Sequence, residues 1–334
     1  MLDIAVIGAG RIGRIHARNV AAHAGARLVG IADPDAAAAG ALAASCASRV
    51  IELNEAFTAA AVLIASPTPT HAGFIERAAA AGRAVFCEKP VDLDAVRARA
   101  CIAAAERAGI VLMIGFNRRF DPHFAALHQA LTGDEIGALE VLAITSRDPS
   151  PPPPSYVASS GGLFRDMAIH DLDMARFLLG EEVVAVFAAA SCLVDPGIGA
   201  AGDVDTALIT LRTASGRLCS ISNSRRATYG YDQRIEAHGA RGMLRAGNVP
   251  VSTLERAGAD GFTTAPAQPF FLERYAAAYR AELDAFVAAV AAGGRVQPDG
   301  RDGLAALLLA DAADESLRTG REVRPDLAGP KELT

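Results

Sequence analysis

The chain has 334 residues, 51% of them apolar and 21% charged, with 32 basic against 38 acidic side chains and a net charge of −6. At roughly 100–200 residues per domain this predicts about two domains with a sizeable core, and the composition excludes a disordered chain, a collagen-like fibre and a disulfide-stapled miniprotein. No basic block marks nucleic-acid or anionic-membrane binding, and no apolar run approaches the ~20 residues that cross a bilayer.

Five scattered cysteines lack any CxxC pair. They read as core thiols in a reducing compartment, and neither a metal nor a redox site is expected. With a first strand opening near the start and no basic leader, a cytoplasmic protein is expected. Of the 32 basic residues only Lys89 and Lys331 are lysine. A lysine kept where arginine is the habit suggests a place that needs an amine able to lose its proton.

The first half alternates short apolar runs with alanine-rich stretches. The runs Ile4–Ile7, Leu28–Ala32, Ala61–Ala65, Ala84–Cys87 and Val111–Gly115 predict strands. Between them Arg11–Ala22, Asp35–Cys46, His71–Ala81 and Asp92–Ala108 predict helices, which makes βαβ units and a parallel sheet. After Phe120 the pattern changes. A helix at Pro122–Leu131 and a strand at Leu139–Ser146 lead to a stiff surface loop with four prolines, Pro151–Pro154. A helix at Leu163–Leu179 follows. Strands are then expected at Val183–Val194, Asp205–Arg212, Arg217–Ser222, Asp232–His238 and Met243–Arg245, and helices at Phe271–Ala292 and Gly300–Leu317. The predicted fold class is α/β: a Rossmann domain over residues 1–119, then an α+β domain over 120–334 with an open, largely antiparallel sheet.

Gly8-Ala9-Gly10-Arg11-Ile12-Gly13 follows a strand and opens a helix. The glycines suit a tight turn, close approach to a pyrophosphate and helix–strand packing, with helix amides aimed at the phosphates. Asp33 lies at the end of the second strand, where a carboxylate accepts the adenosine ribose hydroxyls. Pro34 and Asp35 follow and offer no arginine to a 2′-phosphate. The predicted cofactor is NAD, with FAD as a user of a similar fingerprint. In Ser66-Pro67-Thr68-Pro69-Thr70-His71, Ser66 and Thr68 are candidates to bond the cofactor. Equally, Thr70 is a candidate helix cap.

Cys87-Glu88-Lys89-Pro90 ends another strand at the carboxyl edge where ligands bind, so the scarce lysine falls in a candidate site. Downstream, Asp166 and His170 share one helix face at i and i+4. A carboxylate beside an imidazole raises its pKa and fixes its tautomer, which suits a base taking a hydroxyl proton near neutral pH. The same spacing also makes an ordinary helix ion pair. Zinc is disfavoured, because further histidine or cysteine ligands are lacking.

These motifs resemble the glucose–fructose oxidoreductase, inositol dehydrogenase and MocA family over essentially the full length. The carriers are Gly8–Gly13, Glu88-Lys89-Pro90, Gly115-Phe116-Asn117-Arg118-Arg119-Phe120-Asp121 and Gly161–Asp173. Ser146-Arg147-Asp148-Pro149, Tyr229-Gly230-Tyr231-Asp232-Gln233-Arg234 and Phe271-Leu272-Glu273-Arg274-Tyr275 are similar to its inositol dehydrogenase branch. The resemblance implies oxidation of a cyclic polyol by NAD, with myo-inositol the first candidate, and a homo-oligomer, often a tetramer. It implies His170 as base, Asp166 as its orienting partner, and Lys89 on the reacting hydroxyl and cofactor ribose. Gly8, Gly10, Arg11, Ile12, Gly13, Asp33, Ser66, Thr68, His71 and Glu88 fall on the cofactor side. Asn117, Arg119, Tyr156 and Tyr231 fall on the substrate side. Another cyclitol or aldose as substrate, an elimination reaction through transient oxidation, or an NAD-sensing regulator are the alternatives.

Overall fold

The computed structural model describes residues 1–327, so Lys331 lies outside the described residues. The chain divides into two compact units, Met1–Phe120 with Ala278–Leu307, and Asp121–Ala277 with the chain from Leu308 on.

Unbroken apolar runs make the strands of the first unit. Residues 4–7, 61–64 and 84–87 are buried at every position, as strands covered on both faces must be. The order is β1 (Leu2–Ile7), α1 (Arg11–Ala22), β2 (Ala26–Ala32), α2 (Ala36–Ser45), α3 (Leu53–Ala56), β3 (Ala61–Ile64), α4 (His71–Ala80), β4 (Ala84–Glu88), α5 (Ala95–Ala108) and β5 (Leu112–Gly115). The five strands pair in parallel in the order β2-β1-β3-β4-β5. The order therefore reverses between β1 and β3, the place where α/β sheets bind ligands. α5 starts at Ala95, later than the sequence pattern suggests, because the Asp94 side chain caps it by accepting from the Val96 and Arg97 amides. Gly109, at φ 64°, stops it.

The second unit contains α6 (Pro122–Thr132), β6 (Leu139–Arg147), α7 (Pro154–Ser160), α8 (Ile169–Leu179), β7 (Val183–Ser191), α9 (Pro196–Ala200), β8 (Thr206–Thr213), β9 (Leu218–Ser224), β10 (Asp232–Gly239), β11 (Gly242–Ala246), the hairpin β12 (Glu255–Gly258) and β13 (Gly261–Thr264), and α10 (Phe271–Arg274). Six strands form an open sheet ordered β11-β10-β6-β9-β8-β7, antiparallel throughout except for β6 and β9. Burial alternates along β8, β9 and β10: one face is core and the other is exposed. The fourth proline of the proline run starts α7, where a missing amide hydrogen costs nothing.

Two long helices follow, α11 (Ala276–Ala292) and α12 (Gly300–Thr319). The sequence division keeps both with the second half, but residues 278–307 return to the first unit. Leu283, Phe286, Val287 and Val296 join Ile4, Val6, Leu63 and Phe86 in one core, with the Phe86 and Phe286 rings edge to face at 5.7 Å. Amphipathic periodicity shows that a helix has a buried face, but not which sheet it meets.

Asp205 fastens the loop after β7, accepting from the Leu193, Val194 and Asp195 amides at 2.7, 2.7 and 3.0 Å and from the Thr206 hydroxyl at 3.0 Å. Burial opposes its charge, yet these donors outweigh it and hold the carboxyl at about 2, below the ordinary 3.8. A depressed carboxyl stabilises the fold above 3.8, and that stability is lost as pH falls through the folded value. Asp205→Ala should therefore cost about 2 kcal/mol at neutral pH. In urea unfolding the gap to wild type should close as pH drops from 3.8 to about 2; a pH-independent gap would contradict the assignment.

Candidate functional site

The glycine loop is shaped by backbone approach. Gly8 sits at φ +109°, and a Cβ there would lie 2.5 Å from the Ala65 carbonyl oxygen; one on Gly13 would lie 2.0 Å from the oxygen of Gly8. Neither position accepts a side chain. Gly10 differs: nothing lies within 4 Å of its would-be Cβ, so the N-terminus of α1, which Gly10 caps without a side chain, opens onto free space. Helix amides and dipole there favour a diphosphate. Asp33 ties the loop from beyond β2: one oxygen accepts the Ala9 amide at 2.6 Å and the other the Asp35 amide at 2.8 Å. A carboxylate has about four acceptor sites, so capacity remains for two ribose hydroxyls. Cradle, helix end and carboxylate fit a dinucleotide.

The loop after β3 brings the Ser66 backbone nitrogen against Gly8, and Thr68 opens the short helical turn that follows. Thr70 does not cap α4 with its side chain; its hydroxyl contacts Ser66 Oγ at 2.6 Å and the Pro67 carbonyl at 2.7 Å. His71 is buried, with Nδ1 2.7 Å from the Pro90 carbonyl and Nε2 2.8 Å from that of Ser66. Burial pushes its pKa down. The neutral ring has one N–H and donates to one carbonyl at a time, so His71 ties the β3 loop to the residue after Lys89.

Lys89 is half-buried at the carboxyl end of β4. The Glu88 carboxylate turns inward, with Oε1 2.6 Å from His16 Nε2. Asn117 and Arg119 are buried just beyond β5, and the Arg119 guanidinium pairs with Asp302 at 3.1 Å.

In the second unit, residues 164–168 form a π-helical turn running into α8. Such turns are frequent at functional sites, and no periodicity in the sequence announces one. Asp166 lies in this turn and His170 in the first turn of α8, both half-buried. α8 is pinned to the sheet by Asn223, whose amide donates to buried Asp171 at 2.8 Å. Asp166 accepts from the Tyr156 hydroxyl at 3.1 Å and from Arg225 at 3.0 Å. Arg225, nearly fully buried, also reaches Asp148 at 3.5 Å. Burial opposes the Arg225 charge, but Asp166 and Asp148 more than offset it and raise its pKa.

The three branch-level stretches meet at this end of the sheet. β6 and β10 pair Ser146 with Gln233 and Arg147 with Asp232. Gln233 donates to Ser146 Oγ at 2.9 Å, and the Tyr275 hydroxyl reaches Gln233 at 3.4 Å. Arg147 donates to the Tyr229 hydroxyl at 3.0 Å, which donates to Asp232 at 2.6 Å. Arg274 pairs with Asp121, the N-cap of α6. Tyr231 is buried edge-on against Tyr275 at 5.9 Å. Sequence does not mark Arg225 or Asp148 as site residues: Asp148 falls in the Ser146–Pro149 stretch, and Arg225 falls in no motif.

Residues 2–116 match the oxidoreductase family model for the NAD-binding Rossmann fold, and residues 124–245 match the GFO/IDH/MocA C-terminal domain. The chain belongs to the Gfo/Idh/MocA oxidoreductase family. Within this family it is similar to the inositol 2-dehydrogenase of Rhizobium meliloti (strain 1021), 53% identical over 321 residues, covering 95% of this chain and 97% of that protein. It superposes on the crystal structure of a myo-inositol dehydrogenase from Corynebacterium glutamicum with a TM-score of 0.93 at 45% identity, covering 97% and 98% of the two chains. For scyllo-inositol dehydrogenase from Lactobacillus casei with bound NAD(H) and scyllo-inositol the TM-score is 0.90 at 29% identity, with 98% and 100% covered. In this Gfo/Idh/MocA member the glycine cradle belongs to an NAD-binding Rossmann domain, as the sequence predicts.

The motif reading of Asp33 as acceptor for the ribose hydroxyls and repeller of a 2′-phosphate predicts that Asp33→Ala weakens NAD binding and relaxes discrimination against NADP. Calorimetric titration with each dinucleotide checks this; an unchanged preference would remove Asp33 from the role.

Proposed function

We propose that this oxidoreductase converts a cyclic polyol of the inositol class to its ketone, with myo-inositol and scyllo-inositol the leading substrates. The observation that carries this reading is the full-length similarity to a protein named inositol 2-dehydrogenase, at 53% identity. Retention of Lys89, Asp166 and His170 in one chain supports it. NAD, when bound, supplies the hydride acceptor.

His170 accepts the proton of the reacting hydroxyl, and Asp166 stabilises the imidazolium that results. Tyr156 and Arg225, both bonded to Asp166, hold that carboxylate in place. Lys89 donates to the reacting oxygen and stabilises the negative charge that grows in the transition state. Arg11, Ile12, Ser66, Thr68 and His71 bind or orient the dinucleotide, and Asn117, Arg119 and Tyr231 shape the polyol side. His170→Ala should reduce turnover by about 10²–10⁴-fold with NAD affinity nearly intact. NADH formation with myo-inositol, scyllo-inositol, chiro-inositol, glucose and xylose tests both claims. No turnover of any polyol despite NAD binding would reject the substrate class, and full activity of His170→Ala would reject the base.

The protein acts as a homo-oligomer, a tetramer by family resemblance, through the uncovered face of the six-stranded sheet. Val141, Phe187, Leu208, Leu218 and Met243 are exposed there, and Val141 and Leu218 are register partners. An exposed apolar sheet face of this kind calls for a partner surface, here a second copy. All five cysteines are free, in keeping with the reducing cytoplasm. Among the described residues no helix is long and apolar enough to cross a membrane. Light scattering should give a multiple of 34.4 kDa, shifted toward the monomer by Leu208→Glu with Val141→Glu; a monomeric wild type would refute the oligomer.

A further inference from the structure

Behind the carboxyl end of β4 lies a buried cluster that the reaction as described leaves unused. His16 is on the buried face of α1, which repeats as Gly13, His16, Ala17 and Val20. Glu88 ends β4, and Glu282 comes from the buried face of α11. One nitrogen or oxygen from each lies within 4.8 Å of the others. His16 and Glu282 have no exposed surface. Neither oxygen of Glu282 has a hydrogen-bond partner, nor has His16 Nδ1. The walls are aromatic: the His16 ring lies edge-on to Phe86 at 5.0 Å and to Tyr279 at 5.6 Å.

Glu88 links this pocket to Lys89. Its Oε1 meets His16 Nε2 at 2.6 Å, and its Oε2 accepts the Lys89 backbone amide at 3.3 Å. The carboxylate lies close above Gly115, where a Cβ would come within 3.1 Å and require it to shift. We propose that His16 and Glu88 share a proton beside a neutral Glu282, and that this cluster fixes the end of β4 and thereby positions Lys89. The proposal rests on the role given to Lys89 above. Glu88 and His16 are positioning residues, and Glu282 is the neutral acid that completes the pocket.

The protonation follows from the surroundings. Besides the three members, the titratable groups that face the pocket are His71, which faces Glu88 from α4, and Tyr279, whose ring lies against His16. Burial, reinforced by the Glu88 charge, pushes the Glu282 carboxyl well above its ordinary range. An unpaired buried carboxylate is costly, and the group keeps its proton instead. The 2.6 Å His16–Glu88 contact needs one further proton between nitrogen and oxygen. Packing alone would be met by apolar side chains. A strand end that presents a reacting lysine has to be held within a fraction of an ångström.

The test has three parts. Difference infrared spectra of the full-length protein at neutral pH should show the carbonyl stretch of a protonated carboxyl in wild type, absent from Glu282→Gln. No such band overturns the neutral Glu282, and a stoichiometric divalent cation in the purified protein overturns the cluster. His16→Leu should lower kcat by up to about 10²-fold with NAD affinity retained, and His16→Gln, which keeps an N–H near the Nε2 position, should restore most of it. Equal loss in both, or no loss in either, overturns the positioning role. Should His16→Leu fail to fold, the stability of Glu282→Gln serves instead. A raised carboxyl pKa stabilises below the unfolded value of 4.5 and loses that stability as pH rises. The folding constant of wild type relative to Glu282→Gln should therefore fall about tenfold per pH unit above 4.5 until the folded pKa is reached; a flat ratio counts against the cluster. Lys89→Ala separates the two readings: full turnover there removes the role of Lys89 itself, while the infrared result stands independently.

Discussion

The approach of backbone to backbone at the β1–α1 turn is the constraint from which the first unit follows. With a would-be Cβ on Gly13 only 2.0 Å from the Gly8 oxygen, α1 lies closer to the sheet than any side chain at that position would permit. That closeness sets the helix end over the turn and puts His16 against Phe86. It also leaves Asp33 to fasten the loop from the far side. Glycine here is a packing requirement as much as a ligand requirement, and the two act together.

The second unit solves a different problem with the same economy. A half-exposed acid and a half-exposed histidine need a rigid footing, and a helix end is a mobile place to put them. The footing is a buried polar bond, Asn223 to Asp171, in the first turn of the helix beside His170 and away from solvent. Buried Arg225 then bridges the two acids, Asp148 from the end of β6 and Asp166 from the π turn. Charge-assisted bonds of this kind in low dielectric are costly when half made and rigid when complete.

Local patterns made much of the architecture legible. The α1 span, the five parallel strands and the alternation of the open sheet were all readable because burial imposes a period on a single element. The glycine motif was readable because its chemistry is contiguous. What escaped were facts that join distant parts of the chain. Helix α11 has an apolar stripe, but nothing within it says that Phe286 will meet Phe86. The motif that puts Glu88 on the cofactor side gives no sign that one of its oxygens meets a histidine 72 positions earlier. The exposed hairpin β12–β13 has little apolar periodicity, with every residue open to solvent. The branch motifs were recognisable as strings, while their union into one network depended on the β6–β10 register.

The division of the first unit between two stretches of chain bears on how the protein is made. A ribosome delivers residues 1–120 long before residues 278–307, and domains ordinarily fold as they emerge. Here the nascent sheet must wait, with Ile4, Val6 and Phe86 facing no Leu283, Phe286 or Val287 while more than 150 further residues are synthesised. The segment translated first thus waits longest for the residues that complete its core. Its closing helix is among the last pieces to arrive, so the first unit completes its core only after the intervening second-unit segment has left the ribosome.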